Sequence, residues 1–85
     1  MKRITSFLEA KQKLFEGKVL VFKPYNQQVT YLSLKDENRI CLFSDNVRYN
    51  ISFDELDKIM EINKVFEFKK DDKIEINQEF KKLIQ

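Results

Sequence analysis

The chain has 85 residues, of which 42% are hydrophobic and 35% charged, with a formal net charge of +2. This length fits one small domain, and eight Phe and three Tyr supply large core side chains, which argues against intrinsic disorder. So small a net charge gives no general reason to expect a nucleic-acid partner.

Missing residue types exclude several chemistries. The chain has no histidine, which excludes Ser–His and Cys–His nucleophile pairs. Cys41 is the only cysteine, so no internal disulfide can form and a structural zinc site lacks ligands. Gly17 is the only glycine, which excludes a glycine-rich phosphate loop, and no apolar run reaches the length of a membrane span. We therefore expect a cytoplasmic protein that is not an enzyme and has no metal or cofactor.

The first predicted element is a helix over residues 6–16, preceded by a loose start at residues 1–4. Ser6 and Glu9 have the spacing of a capping box, apolar residues recur at helical spacing, and Gly17 provides the stop. The remaining polar positions of this helix are expected to face water, namely Lys11, Gln12, Lys13 and Glu16.

Short β-branched and aromatic segments then predict a run of strands. Turns of three or four residues separate them, which forces antiparallel pairing because a parallel crossover needs about a dozen residues. Apolar residues at both parities place the first of these strands inside the sheet. The predicted strands cover residues 18–23, 28–34, 39–43 and 47–51.

A second capping box, Ser52 and Glu55, begins a short helix predicted over residues 53–60. A fifth strand over residues 61–69 and a weak sixth strand at 73–76 follow, and residues 77–85 are either a last helix or a flexible tail. The sequence thus predicts a single α+β domain over residues 1–85. Its antiparallel meander sheet has five or six strands, with the N-terminal helix packed on one face and the short helix before the last strands.

The candidate binding residues centre on the turn after the first strand, where Tyr25 is either an exposed anchor or the edge of the core. Tyrosine is enriched at binding hot spots, and a basic sheet bearing aromatic residues can also stack bases and hold phosphates. For partner binding the candidates are Lys23, Tyr25, Asn26, Gln27, Tyr31 and Arg48. For nucleic acid they are Lys18, Lys23, Tyr25, Tyr31, Arg39, Arg48 and Tyr49.

The first third of the chain carries a family pattern of the form F-x-E-A-x-x-x-L-x-x-G-K-x-V-x-R-x-x-W-N. Later segments continue the match, with Tyr31-Leu32 at a second-strand Y-L, residues 52–56 at S-x-x-D-L and residues 65–68 at D-W-E-[IV]. Tyr25 occupies the position of the tryptophan in this pattern. The residues that align with its other positions are Phe7, Ala10, Leu14, Gly17, Lys18, Leu20 and Asn26.

Over residues 7–68 the chain therefore resembles a family of very small phage-encoded α+β domains. That family includes a nucleotide sponge directed against Thoeris defence and some anti-CRISPR proteins. The resemblance implies an antiparallel sheet with one packed helix, often in an oligomer, and no catalysis. This chain departs from the pattern at Val21 and Phe22, where the family has an arginine, and it lacks both tryptophans. These departures count against a nucleotide pocket and leave a protein-binding role open.

Our leading hypothesis is a phage or mobile-element protein that inhibits a bacterial defence system in the host cytoplasm. An anti-CRISPR-type inhibitor that binds a host protein, such as a CRISPR effector, fits best. The first alternative is an oligomeric sponge for a signalling nucleotide, and the second is a small nucleic-acid-binding module.

Overall fold

The computed structural model describes residues 2–24, 28–44 and 47–69. Within them the chain forms an α+β fold with one antiparallel sheet, as predicted. The elements in chain order are β1 (Lys2–Ile4), α1 (Phe7–Phe15), β2 (Val19–Phe22), β3 (Thr30–Asp36), β4 (Arg39–Ser44), β5 (Val47–Ser52), α2 (Phe53–Ile62) and β6 (Val65–Phe68).

The strand order of the sheet is β1-β6-β2-β3-β4-β5. Strands β2 to β5 form the predicted meander, and β2 lies inside the sheet, as its apolar residues at both parities indicated. Strand β6 fills the position between β1 and β2. The predicted sixth strand at 73–76 and the segment 77–85 lie outside the described residues.

The predicted loose start is wrong for Lys2–Ile4. These residues form β1, in which Lys2 pairs with Glu67 and Ile4 with Val65. Ile4 is buried in the main core, and this apolar contact together with the pairing to β6 holds the segment in place.

Helix α1 has the predicted Ser6 cap and Gly17 stop, but only half of the predicted capping box. The Ser6 hydroxyl accepts a hydrogen bond from the Glu9 backbone N–H, whereas the Glu9 side chain accepts one from the Thr5 N–H instead of from the Ser6 N–H. Gly17 follows with φ of 85°, a left-handed conformation that glycine adopts without the cost a Cβ would add. Ala10 and Leu14 point into the core, so this helix covers the sheet.

The main core lies between the sheet and the two helices. Leu20, Leu32 and Leu42 sit directly opposite one another on β2, β3 and β4, and all three are buried. Leu14 of α1 and Leu56 of α2 pack onto the same cluster. The two described helices therefore cover one face of the sheet, and strand side chains of the other parity form the opposite face.

Helix α2 begins at the complete capping box predicted from the sequence. The Ser52 hydroxyl accepts from the Glu55 N–H at 3.2 Å, and the Glu55 carboxylate accepts from the Ser52 N–H at 3.3 Å. Each side chain therefore satisfies a backbone donor at the helix start that has no partner within the helix.

We expect Ser52→Ala to lower the free energy of unfolding by about 1 kcal/mol, because the substitution removes the cap acceptor. Urea unfolding followed by circular dichroism measures the change. Ser33→Ala is the matched control, since the Ser33 hydroxyl caps no helix, and it is expected to stay within about 0.5 kcal/mol. Equal losses in the two variants would contradict a role for the cap.

Candidate binding surfaces

The sheet has one face on which no described element packs, and we call it the open face. Register places one residue from each of the six described strands in a single row across it, with an arginine at each end and apolar or aromatic side chains between. Given about 4.8 Å between neighbouring strands, this row is about 24 Å long. In sheet order the central row is Arg3, Phe66, Val21, Tyr31, Phe43 and Arg48.

Aromatic contacts organise the middle of the open face. The Tyr31 ring stacks on Phe43 with centroids 5.2 Å apart and planes 17° from parallel. The Phe68 ring meets Tyr31 edge-on at 5.5 Å. All three rings are half-buried, and Val21 is buried beneath the smaller apolar cluster that contains Tyr31 and Phe68. The face thus presents fixed rings rather than isolated side chains.

The open face also holds every arginine of the chain. The sequence contains three arginines among its sixteen basic residues. Arg3 and Arg48 end the central row, and Arg39 alternates with the buried Ile40 and Leu42 on β4, which puts it on the same face. The Arg48 guanidinium lies over the Phe43 ring, 5.6 Å from its centroid, in a cation–π arrangement.

Arg39 is engaged by a carboxylate within its own hairpin. Its Nε donates to Oδ2 of Asp36 at 2.8 Å, and its second nitrogen lies 2.7 Å from the same oxygen. This hydrogen bond, helped by the Asn38 backbone N–H, holds the pKa of Asp36 below its usual range. Arg3 and Arg48 are exposed, and within residues 2–24, 28–44 and 47–69 neither forms an ion pair with a carboxylate.

The predicted binding residues fall partly on this face. Tyr31 and Arg48 come together there, both against Phe43. Lys23 follows β2 and is half-buried, while Tyr25, Asn26 and Gln27 lie outside the described residues. Tyr49, a candidate for nucleic acid, pairs with Leu42 and so belongs to the opposite side of the sheet, because cross-strand partners share a face.

Sequence reasoning missed Phe43, Phe68 and Arg3 as surface residues. A signal existed for Phe43, since the alternation of buried Ile40 and Leu42 assigns Cys41 and Phe43 to the other face. Arg3 carried no such signal, because its place in the row depends on pairing with a strand more than sixty residues later in the chain.

A second surface lies where the helices meet. The rings of Phe15 on α1 and Phe53 on α2 stack with centroids 5.8 Å apart and planes 6° from parallel. Lys11 Nζ lies 5.6 Å from the Phe7 centroid and 5.5 Å from that of Phe53. We call these four residues, Phe7, Lys11, Phe15 and Phe53, the helix seam. Phe15 is 51% exposed, which is unusual for so large an apolar side chain next to another.

One expectation about α1 is wrong. Lys13, expected to face water, is directed at the sheet, where its Nζ lies 3.2 Å from Oε1 of Glu67 on β6. Glu67 is only 4% exposed, so the lysine supplies the positive charge that a buried carboxylate requires. The Glu67 carboxylate beside the ammonium group raises the pKa of Lys13.

In residues 2–24, 28–44 and 47–69, no group of three or more His, Cys, Asp or Glu side chains could hold a metal ion. The helices of the same ranges include none of the length and apolar character needed to cross a membrane.

In comparisons with known proteins, no family model, curated protein or solved structure matches the chain.

Proposed function

We propose that this protein is a non-catalytic phage or mobile-element protein that inhibits a bacterial defence system by binding one of its proteins in the host cytoplasm. The resemblance of residues 7–68 to small phage-encoded domains supports the defence context, and a CRISPR effector is the first partner to test. Binding without catalysis agrees with a chain that lacks histidine and a glycine-rich loop.

The helix seam is the observation that carries the protein-binding part of the proposal. Hot spots in protein interfaces are aromatic and basic side chains that a partner can enclose. The seam offers a stacked Phe pair next to Lys11, and the same two helices expose Leu8 and Ile62. An interface of standard size buries about 800 Å² on each partner, which one side of a domain this small can supply.

The first test is co-elution of the protein with purified CRISPR effector complexes on a sizing column, followed by a plasmid-interference assay in cells. We expect a stable complex with one effector and loss of interference when the protein is expressed. Phe15→Ala is expected to raise the Kd about 10-fold or more, because it removes the exposed ring of the seam. The matched control is Val47→Ala, another exposed apolar truncation but on β5, and it should leave the Kd within about 2-fold.

Two results would contradict this proposal. One is unchanged interference and no co-elution across the effectors tested. The other is release of a nucleotide from the heated and filtered protein, which would support the alternative of a signalling-nucleotide sponge. Circular dichroism of Phe15→Ala separates a lost contact from a lost fold.

A further inference from the structure

We propose that the open face is a binding site for single-stranded nucleic acid, with the rings of the central row stacking bases and its arginines holding phosphates. This activity goes beyond the protein contact proposed above and uses the opposite side of the domain. It therefore stands or falls separately from that contact.

Stacking is the first argument. Proteins that bind single strands place aromatic side chains on a sheet or groove, and each base can stack because every base has a π-face. Tyr31, Phe43 and Phe68 form one contiguous aromatic group on the open face, held by the contacts between their own rings. These rings are half-buried, so the sheet sets their orientation while part of each ring remains exposed to solvent.

Charge is the second argument. The chain uses lysine for most of its basic positions, yet all three of its arginines lie on this one face. Arginine differs from lysine in its planar fork of donors, which matches a phosphate group and also stacks on aromatic rings. The acidic residue that meets these arginines in the described strands is Asp36, and it is paired with Arg39.

Geometry is the third argument. The exposed Arg3 and Arg48 stand at the two ends of a row whose interior is aromatic and apolar. A single-stranded nucleic acid lying across the sheet would therefore place its bases on the rings. Its phosphates would reach an arginine at either edge of the sheet. A duplex keeps its bases stacked inside and cannot use the rings, so the face is expected to prefer single strands.

The experiment measures fluorescence anisotropy of a labelled oligothymidine of about 20 nucleotides at about 50 mM salt, using the full chain, with the matching duplex as a second probe. We expect tighter binding to the single strand than to the duplex. We also expect the slope of log Kd against log salt concentration to fall by about one for each phosphate contact that a substitution removes. Arg3→Gln and Arg48→Gln should each weaken binding several-fold. Phe43→Leu keeps the apolar volume but removes the ring, and it should weaken binding by about 5-fold or more.

Lys58→Gln is the matched control, because it removes one positive charge from the exposed side of α2. It is expected to leave the affinity for the oligonucleotide within about 2-fold. Absence of binding at low salt, preference for the duplex, or equal losses in Lys58→Gln and Arg48→Gln would each overturn the proposal. Equally tight binding of polyglutamate that is insensitive to Phe43→Leu would also overturn it, and would indicate an acidic protein as the partner of this face.

Discussion

Replacing Leu32 with alanine is expected to lower the free energy of unfolding by about 2–5 kcal/mol. Leu32 is fully buried on β3, directly opposite Leu20 and Leu42 and beneath the helices. The truncation removes apolar contacts from three neighbouring strands at once and leaves a cavity that the sheet backbone cannot close. Small domains are stable by only about 5–15 kcal/mol, so this single change removes a large part of the total.

Denaturant unfolding of the wild type and Leu32→Ala measures the effect as a fall in the midpoint with the slope unchanged. Leu8→Ala is the matched control, since it is the same substitution at a side chain that is 65% exposed. It is expected to change the free energy of unfolding by less than about 0.5 kcal/mol. Similar losses in both variants would contradict the placement of Leu32 at the centre of the core.

The second large effect is expected from Lys13→Met. The substitution keeps an apolar stem against the sheet but leaves the Glu67 carboxylate buried without the cation that lies 3.2 Å away. Breaking a buried pair by removing one partner is strongly destabilising, whereas replacing both partners by apolar residues is often neutral. We therefore expect Lys13→Met to lower the denaturation midpoint strongly, and the double variant Lys13→Met/Glu67→Leu to recover most of the loss.

The pH dependence gives an independent check on the same pair. The pKa of Lys13 is raised above 10.5 by its pairing with the Glu67 carboxylate. A raised folded-state pKa means that the stabilisation is fully present below pH 10.5 and is lost as pH rises through the higher pKa of the folded protein. The midpoint difference between wild type and Lys13→Met should therefore shrink in that alkaline range. A constant difference, or an equal loss in the exposed control Lys18→Met, would contradict the ion pair.

The helices and the meander were predictable because their signals are local. Ser6 and Gly17 mark the two ends of α1, Ser52 and Glu55 mark the start of α2, and the structure has both helices at these positions. The short turns between β2 and β5 allow one pairing pattern. Strand β1 could not be predicted in the same way, because three residues carry little periodicity and their partner is distant in sequence.

The candidate surfaces were predictable only in part, for a similar reason. Tyr31 and Arg48 stand out by residue type, but their shared contact with Phe43 depends on the registers of β3, β4 and β5. The burial of Glu67 beside Lys13 depends on α1 packing on the sheet, and the local pattern of residues 61–69 carries no sign of that contact. Local pattern assigns a side chain to a face, whereas tertiary pairing decides which side chains meet.

The position of β6 in the sheet sets an order of events on the ribosome. Strands β2 to β5 can pair hairpin by hairpin as the nascent chain lengthens, since each partner emerges just after the last. The gap between β1 and β2 must wait until Val65–Phe68 has been synthesised, because only β6 fills it. Until then the N-terminal strand has no partner and β2 presents an unpaired edge to other chains. Pairing of those four residues with β1 and β2 therefore closes the period in which a new molecule is most open to association with its neighbours.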